Sequence, residues 1–254
     1  CASTRRPPPP RAPRTSRIRP PRPPSPRAAP RSLGRRKPVS RRGRPVYRDR
    51  VDAGQILARL IARPIDPASV VLGLPRGGVA VAAPIAKALA LPLDVLVARK
   101  IAHPLQPELA IGAVGPDRVV VVDHDAIRHF NVSRPQLDVL IERAAAEVDA
   151  RIAFYHSAMN DVPELRGRPL IVVDDVIATG ATVHAGLPSL KAIEPTHVTL
   201  ATPVCAADVA RAMRKLVNDF VCPLLPIDFH AVGDWYEDFG QVGDDEVVAL
   251  VRGA

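Results

Sequence analysis

Residues 169–182, PLIVVDDVIATGAT, constrain this chain more than any other stretch. Leu170-Ile171-Val172-Val173 is a short, branched, wholly apolar run, the pattern of a strand buried on both faces. The run ends in two adjacent carboxylates, Asp174 and Asp175, and passes at once into Ala178-Thr179-Gly180-Ala181-Thr182, which opens a helix. These loop residues have little side-chain bulk, so their backbone N–H groups can close around an anion at a helix N-terminus, where the dipole also favours negative charge. The hydroxyls of Thr179 and Thr182 add donors. Two neighbouring carboxylates repel each other and any phosphate unless sugar hydroxyls or a divalent cation offset them. A phosphorylated sugar with Mg²⁺ meets all of these demands.

The remaining pattern supplies a frame for this loop. Apolar residues at helical spacing predict a helix over 47–62, stopped by Pro64 and Pro67. Ser69 to Leu74 reads as a buried strand that turns through Pro75-Arg76-Gly77-Gly78 into a helix over 79–89. The paired glycines permit close backbone approach and Arg76 can fork onto a phosphate, so this turn is a second anion site of the same physical type. A strand over 93–98 ends in Arg99-Lys100, followed by a segment without strong period, Ile101 to Gly115, that suits a lid. A short strand is expected near 118–122, and a long helix from Ser133 as N-cap to about Tyr155. His124 and His129, five apart, match no metal spacing. Strand, helix and strand follow again over 197–204, 206–217 and 219–225. This pace predicts an α/β fold, a central parallel sheet flanked by helices, with ligands beyond the carboxyl ends of its strands.

Charge separates the chain into two parts. Its formal net charge is +9, but residues 1–44 hold 15 Lys and Arg, 12 Pro and no acid, leaving 20 basic against 26 acidic residues in 45–254. The first segment cannot bury enough apolar surface to offset chain entropy, and disorder is expected. An electrostatic arm, a transit peptide and a Pro-rich ligand compete as readings of it. Because the chain begins with Cys1 and not Met, a dispensable extension is the plainest. Nucleic acid is expected only through this basic tail, since the acidic remainder disfavours general binding. No apolar run reaches the roughly 18 residues needed to cross a bilayer. Cys1, Cys205 and Cys222 lack metal-like spacing, so free thiols in a reducing, cytoplasmic setting are expected.

The stretch DDVIATGAT resembles the phosphoribosyl-pyrophosphate (PRPP) signature of the type I phosphoribosyltransferases: apolar strand, acid pair, two variable residues, then a small or acidic residue before Thr-Gly-x-Thr. The resemblance extends over roughly residues 45–250 and is similar in layout to a bacterial group whose acceptor is unassigned. It implies transfer of ribose 5-phosphate from PRPP to a nitrogenous, nucleobase-like acceptor, with Mg²⁺ and release of pyrophosphate, in nucleotide metabolism. Residues 178–182 would hold the 5-phosphate. Asp174 and Asp175 would take the ribose hydroxyls and reach Mg²⁺ through water. Arg76, Gly77, Gly78 and Lys100, with Arg99 as a further candidate, would stabilise the departing pyrophosphate under a mobile loop. A C-terminal hood is implied over 229–246, where Phe229, Trp235, Tyr236 and Phe239 interleave with polar residues. Trp235 and Tyr236 are the candidates to stack on a planar ring, against the plainer reading that they pin a terminal segment. Purine-salvage members for 6-oxopurines carry Asp immediately before the Thr-Gly of the loop. Ala178 stands there, which disfavours such acceptors unless Asp234, Glu237 or Asp238 substitutes. A PRPP-sensing regulator of the same fold is the alternative, and a homodimer is compatible with either.

Overall fold

The computed structural model describes residues 46–61, 64–229 and 231–253. The expectations for residues 1–44 lie outside them. Five strands, β1 (Val70–Gly73), β2 (Leu93–Val95), β6 (Leu170–Val173), β7 (Val198–Ala201) and β8 (Asp219–Val221), form a parallel sheet in the order β2-β1-β6-β7-β8. The intervening strands β3 (Arg99–His103), β4 (Gln106–Val114) and β5 (Val120–Val122) form a second, antiparallel sheet. The helices are α1 (Arg50–Leu60), α2 (Gly77–Leu89), α3 (His124–His129), α4 (Arg134–His156), α5 (Ala181–Gly186), α6 (Ala207–Met213) and α7 (Asp244–Arg252). None of the described helices is long and apolar enough to cross a membrane.

The unbroken apolar runs have the cause expected of them. In β6, Ile171 and Val173 enter one core with Val79, Ile85, Leu57 and Val247, while Leu170 and Val172 enter another with Val183, Leu187, Leu200 and Met213. Alternate residues therefore meet helices on opposite sheet faces, which leaves no polar position in the strand. Val70 and Leu72 of β1 likewise join the second core and Val71 the first. Register then places the loops: Gly73 pairs with Val173, and Val173 with Ala201, so β1, β6 and β7 end at one level.

The period-free segment after Lys100 is ordered structure. Ile101 opposes Gly112 and Gly112 opposes Val122, with register shifts around Ala102. Leu105 lies exposed at its hairpin turn, while Ile101, Ile111 and Val114 are buried. Arg99 and Lys100 consequently begin an antiparallel strand and do not end a parallel one. A side chain on Gly112 would run into the Val121 carbonyl at 2.6 Å. Near the other end of the chain, the helix expected over 206–217 is shorter, and the one beginning at Ala181 passes into a 3₁₀ segment, Leu187–Ile193, at Pro188. Ser133 caps α4 in a capping box with Gln136, as expected. Cys205 and Cys222 are free thiols.

A partly buried histidine–aspartate contact fastens α4 to the sheet edge. His156 Nε2 lies 2.9 Å from Asp94 Oδ1, and Asp94 is 2% exposed. The hydrogen bond to Asp94 raises the imidazole pKa above its ordinary value, against the opposing effect of burial. A histidine whose folded-state pKa is raised stabilises the fold fully below its unfolded pKa and loses that contribution as pH rises through the folded value. The thermal midpoint difference between the parent and H156Q is expected to be largest near pH 6 and to shrink towards pH 8.5. A pH series of melting curves checks this, and a difference that grows with pH would refute it.

Candidate active site at the carboxyl edge of the parallel sheet

The flush ends of β1 and β6 bring their loops into contact. A Cβ on Gly77 would overlap Asp175 Oδ2, and one on Gly78 would stand 2.5 Å from the Val173 carbonyl oxygen. Gly77 is thus required by approach to the Asp175 carboxylate, and Gly78 by approach to the backbone at the end of β6. The Pro75–Arg76 peptide is cis, and Arg76 precedes the first turn of α2. In the second loop Gly180 has φ 75°, the left-handed region that favours glycine, and a Cβ there would lie 2.8 Å from Met213 Cε. Thr179 and Thr182 are exposed, and Thr179 Oγ1 accepts from the Ala181 amide at 3.3 Å. The first-turn amides of α5 have no intrahelical acceptors, so they are suited to an anion.

The two carboxylates differ in environment. Asp174 is 8% exposed and its Oδ1 accepts from the Asp175 amide at 2.9 Å. Burial, and then the charge of Asp175, push its carboxyl well above the usual carboxylate range. Asp175 is instead offset by a guanidinium: Arg50 Nε donates to Asp175 Oδ2 at 2.8 Å. As oxygen donors, the pair fits Mg²⁺ in the way that cation usually binds, through one or two carboxylates with substrate phosphates and water completing its octahedron. Among the described residues no cluster of three or more His, Cys, Asp or Glu forms a protein cage.

Both ends of the described chain close over this edge. Tyr47 and Tyr236 form a parallel bridge, and the amides of Glu237 and Asp238 donate to the carbonyls of Tyr47 and Arg48. Tyr236 is 3% exposed, its ring set between Tyr47 and Phe239, and its hydroxyl donates to the Asp175 carbonyl at 2.8 Å. Its burial favours the pinning role over a free stacking face. Trp235 is half-buried, and its indole N–H is buried without a hydrogen-bond partner. Asp234, Glu237 and Asp238 are exposed, and Ala178 is half-buried.

The basic candidates separate. Arg76 approaches Asp244 at 4.0 Å, and Asp244 also accepts from Arg151 at 2.5 Å and Tyr155 at 2.7 Å. Arg99 pairs with Glu147 on α4 at 3.2 Å. Lys100, its neighbour in β3, is exposed and projects to the other face of the strand. Arg50 and Asp244 are not among the residues singled out from the sequence, and Arg151, expected on the solvated face of α4, instead reaches Asp244. Arg50 opens α1, and no local pattern marks it for the site, because its partner lies on another element far along the chain.

The two glycine-bearing loops thus touch around an acid pair at the carboxyl edge of a parallel α/β sheet, the place where such sheets bind ligands. The chain belongs to the phosphoribosyl transferase domain family, whose profile matches residues 52–245. It is 41% identical over 206 residues to Rv0571c of Mycobacterium tuberculosis (strain H37Rv), whose name assigns it provisionally to the phosphoribosyl transferases. That match takes in 81% of this chain and 46% of the relative, so the chain spans about half the length of the curated relatives it matches. The crystal structure of TT1426 from Thermus thermophilus superposes with a TM-score of 0.74 at 36% identity, covering 82% of this chain and 98% of that one.

Proposed function

We propose that this protein transfers ribose 5-phosphate from PRPP to a nitrogenous, nucleobase-like acceptor and releases pyrophosphate. The observation that carries this reading is the contact of Gly77 with Asp175, which makes one cleft of the two loops. In it, the amides and hydroxyls of 178–182 take the 5-phosphate. Asp174 and Asp175 accept from the ribose 2- and 3-hydroxyls, holding C1 of the sugar between the pyrophosphate and the acceptor. Arg76 and the backbone at Gly77 and Gly78 receive the charge that grows on departing pyrophosphate, and Lys100 would join them on closure of the β3–β4 hairpin, Arg99 being turned to Glu147. Mg²⁺, when bound with the substrate, neutralises phosphate charge beside the carboxylates. A loose displacement of this kind depends on positioning and preorganised electrostatics more than on a strong nucleophile of the protein's own. Trp235, half-buried in the cap, is the better candidate to face the acceptor ring, and Ala178 disfavours a 6-oxopurine.

Pyrophosphate release from PRPP and Mg²⁺ across a panel of nucleobases tests the proposal. Release is expected with at least one nitrogenous acceptor, and EDTA should abolish it. Failure to bind PRPP would overturn the reading. Tight binding without turnover on any acceptor would instead identify a PRPP-sensing regulator.

A further inference from the structure

We infer that Arg50 is a positioning residue for the acid pair, setting which oxygen of Asp175 is offered to the ribose. The inference rests on the PRPP reading of the site. Arg50 and Asp175 are far apart in sequence, and their side chains are 12% and 17% exposed, so the ion pair is largely shielded from solvent. Three separate contacts hold the guanidinium. Its Nε donates to Asp175 Oδ2 at 2.8 Å, its Nη1 donates to the Gly240 carbonyl at 2.8 Å, and its carbon lies 3.8 Å from the centroid of the Phe239 ring. A planar cation with two divergent donors and a stacking face meets all three at once, which an ammonium cannot.

The carboxylate is correspondingly fixed. Oδ2 is engaged by Arg50 and faces Gly77, leaving Oδ1 as the oxygen for an incoming hydroxyl. Tyr236 holds the backbone of the same residue from the cap side. Arg50 therefore sets the side chain of Asp175 while the cap sets its main chain, and the two restraints meet at the segment 236–240.

The variants R50M and R50K separate positioning from simple support of the fold. PRPP affinity, measured by calorimetry on the full chain with Mg²⁺, is expected to fall about tenfold in R50M, because an Asp175 side chain no longer held beforehand must be ordered when the ligand binds. R50K keeps a charge beside Asp175 but cannot also satisfy Gly240 and Phe239. It is expected to recover affinity to within about threefold of the parent even if both variants lose similar thermal stability. R50M binding PRPP as tightly as the parent, or R50K losing as much affinity as R50M, would overturn the inference while leaving the proposed function intact. A parent protein that binds no PRPP would overturn both.

Discussion

D174N is expected to lose PRPP-dependent transfer by a factor on the order of 10²–10³, the usual cost of removing one preorganised electrostatic contact, while melting at or above the parent temperature. The two halves of that expectation have one cause. Asp174 is buried beside a second carboxylate, and both facts work against its charge. Asn has the same shape, can still accept from the Asp175 amide, and removes the repulsion, so the fold loses nothing. A ribose hydroxyl or a cation-bound water, in contrast, bonds more strongly to a carboxylate oxygen than to an amide oxygen. D175N should behave differently: its loss of transfer should be accompanied by lower stability, because it leaves the Arg50 guanidinium largely buried without its carboxylate. Steady-state kinetics beside melting curves distinguish the pair. Parent-like transfer by D174N would remove this carboxylate from the site.

The difference between these two aspartates marks where sequence reading stopped. The acid pair, both glycine-bearing loops, the five core strands and the parallel sheet were legible because each is written locally: branched apolar runs broken by Gly, Pro and small residues. Which carboxylate gains a cationic partner depends on Arg50, more than a hundred residues earlier, and nothing local records that pairing. The segment 101–115 shows no clear period because Pro104, Pro107 and Gly112 interrupt its alternation, so its two strands are not legible locally, although Ile101 and Ile111 are buried in the core with residues of distant elements. Tyr236 invited a ligand role from its aromatic, acidic surroundings, whereas tertiary packing surrounds its ring with Tyr47 and Phe239. Arg99 likewise meets Glu147, a partner on another element that its own segment does not announce.

Substituting the paired glycines should separate the chemistry of the cleft from the stability of the sheet. In G77A the new methyl meets the end of a side chain, the Asp175 carboxylate. That carboxylate is also held by Arg50, so relief requires either a rotated Asp175 or a displaced loop. A displacement of about 1 Å at a reacting geometry costs roughly 10²-fold in rate, so turnover should fall by that order and PRPP should bind more weakly, with a smaller loss of stability than in G78A. In G78A the methyl meets backbone, 2.5 Å from the Val173 carbonyl oxygen. The same carbonyl accepts from the Leu74 amide at 2.9 Å and so fastens the end of β1 to β6. Neither strand can move alone, and the overpacking should cost about 1–3 kcal/mol of stability, read as a lower urea midpoint with unchanged slope. If G77A binds PRPP as the parent does, the loop yields without disturbing Asp175, and the contact between the two loops does not set the cleft. If G78A unfolds at the parent midpoint, the ends of β1 and β6 are looser than their shared register implies.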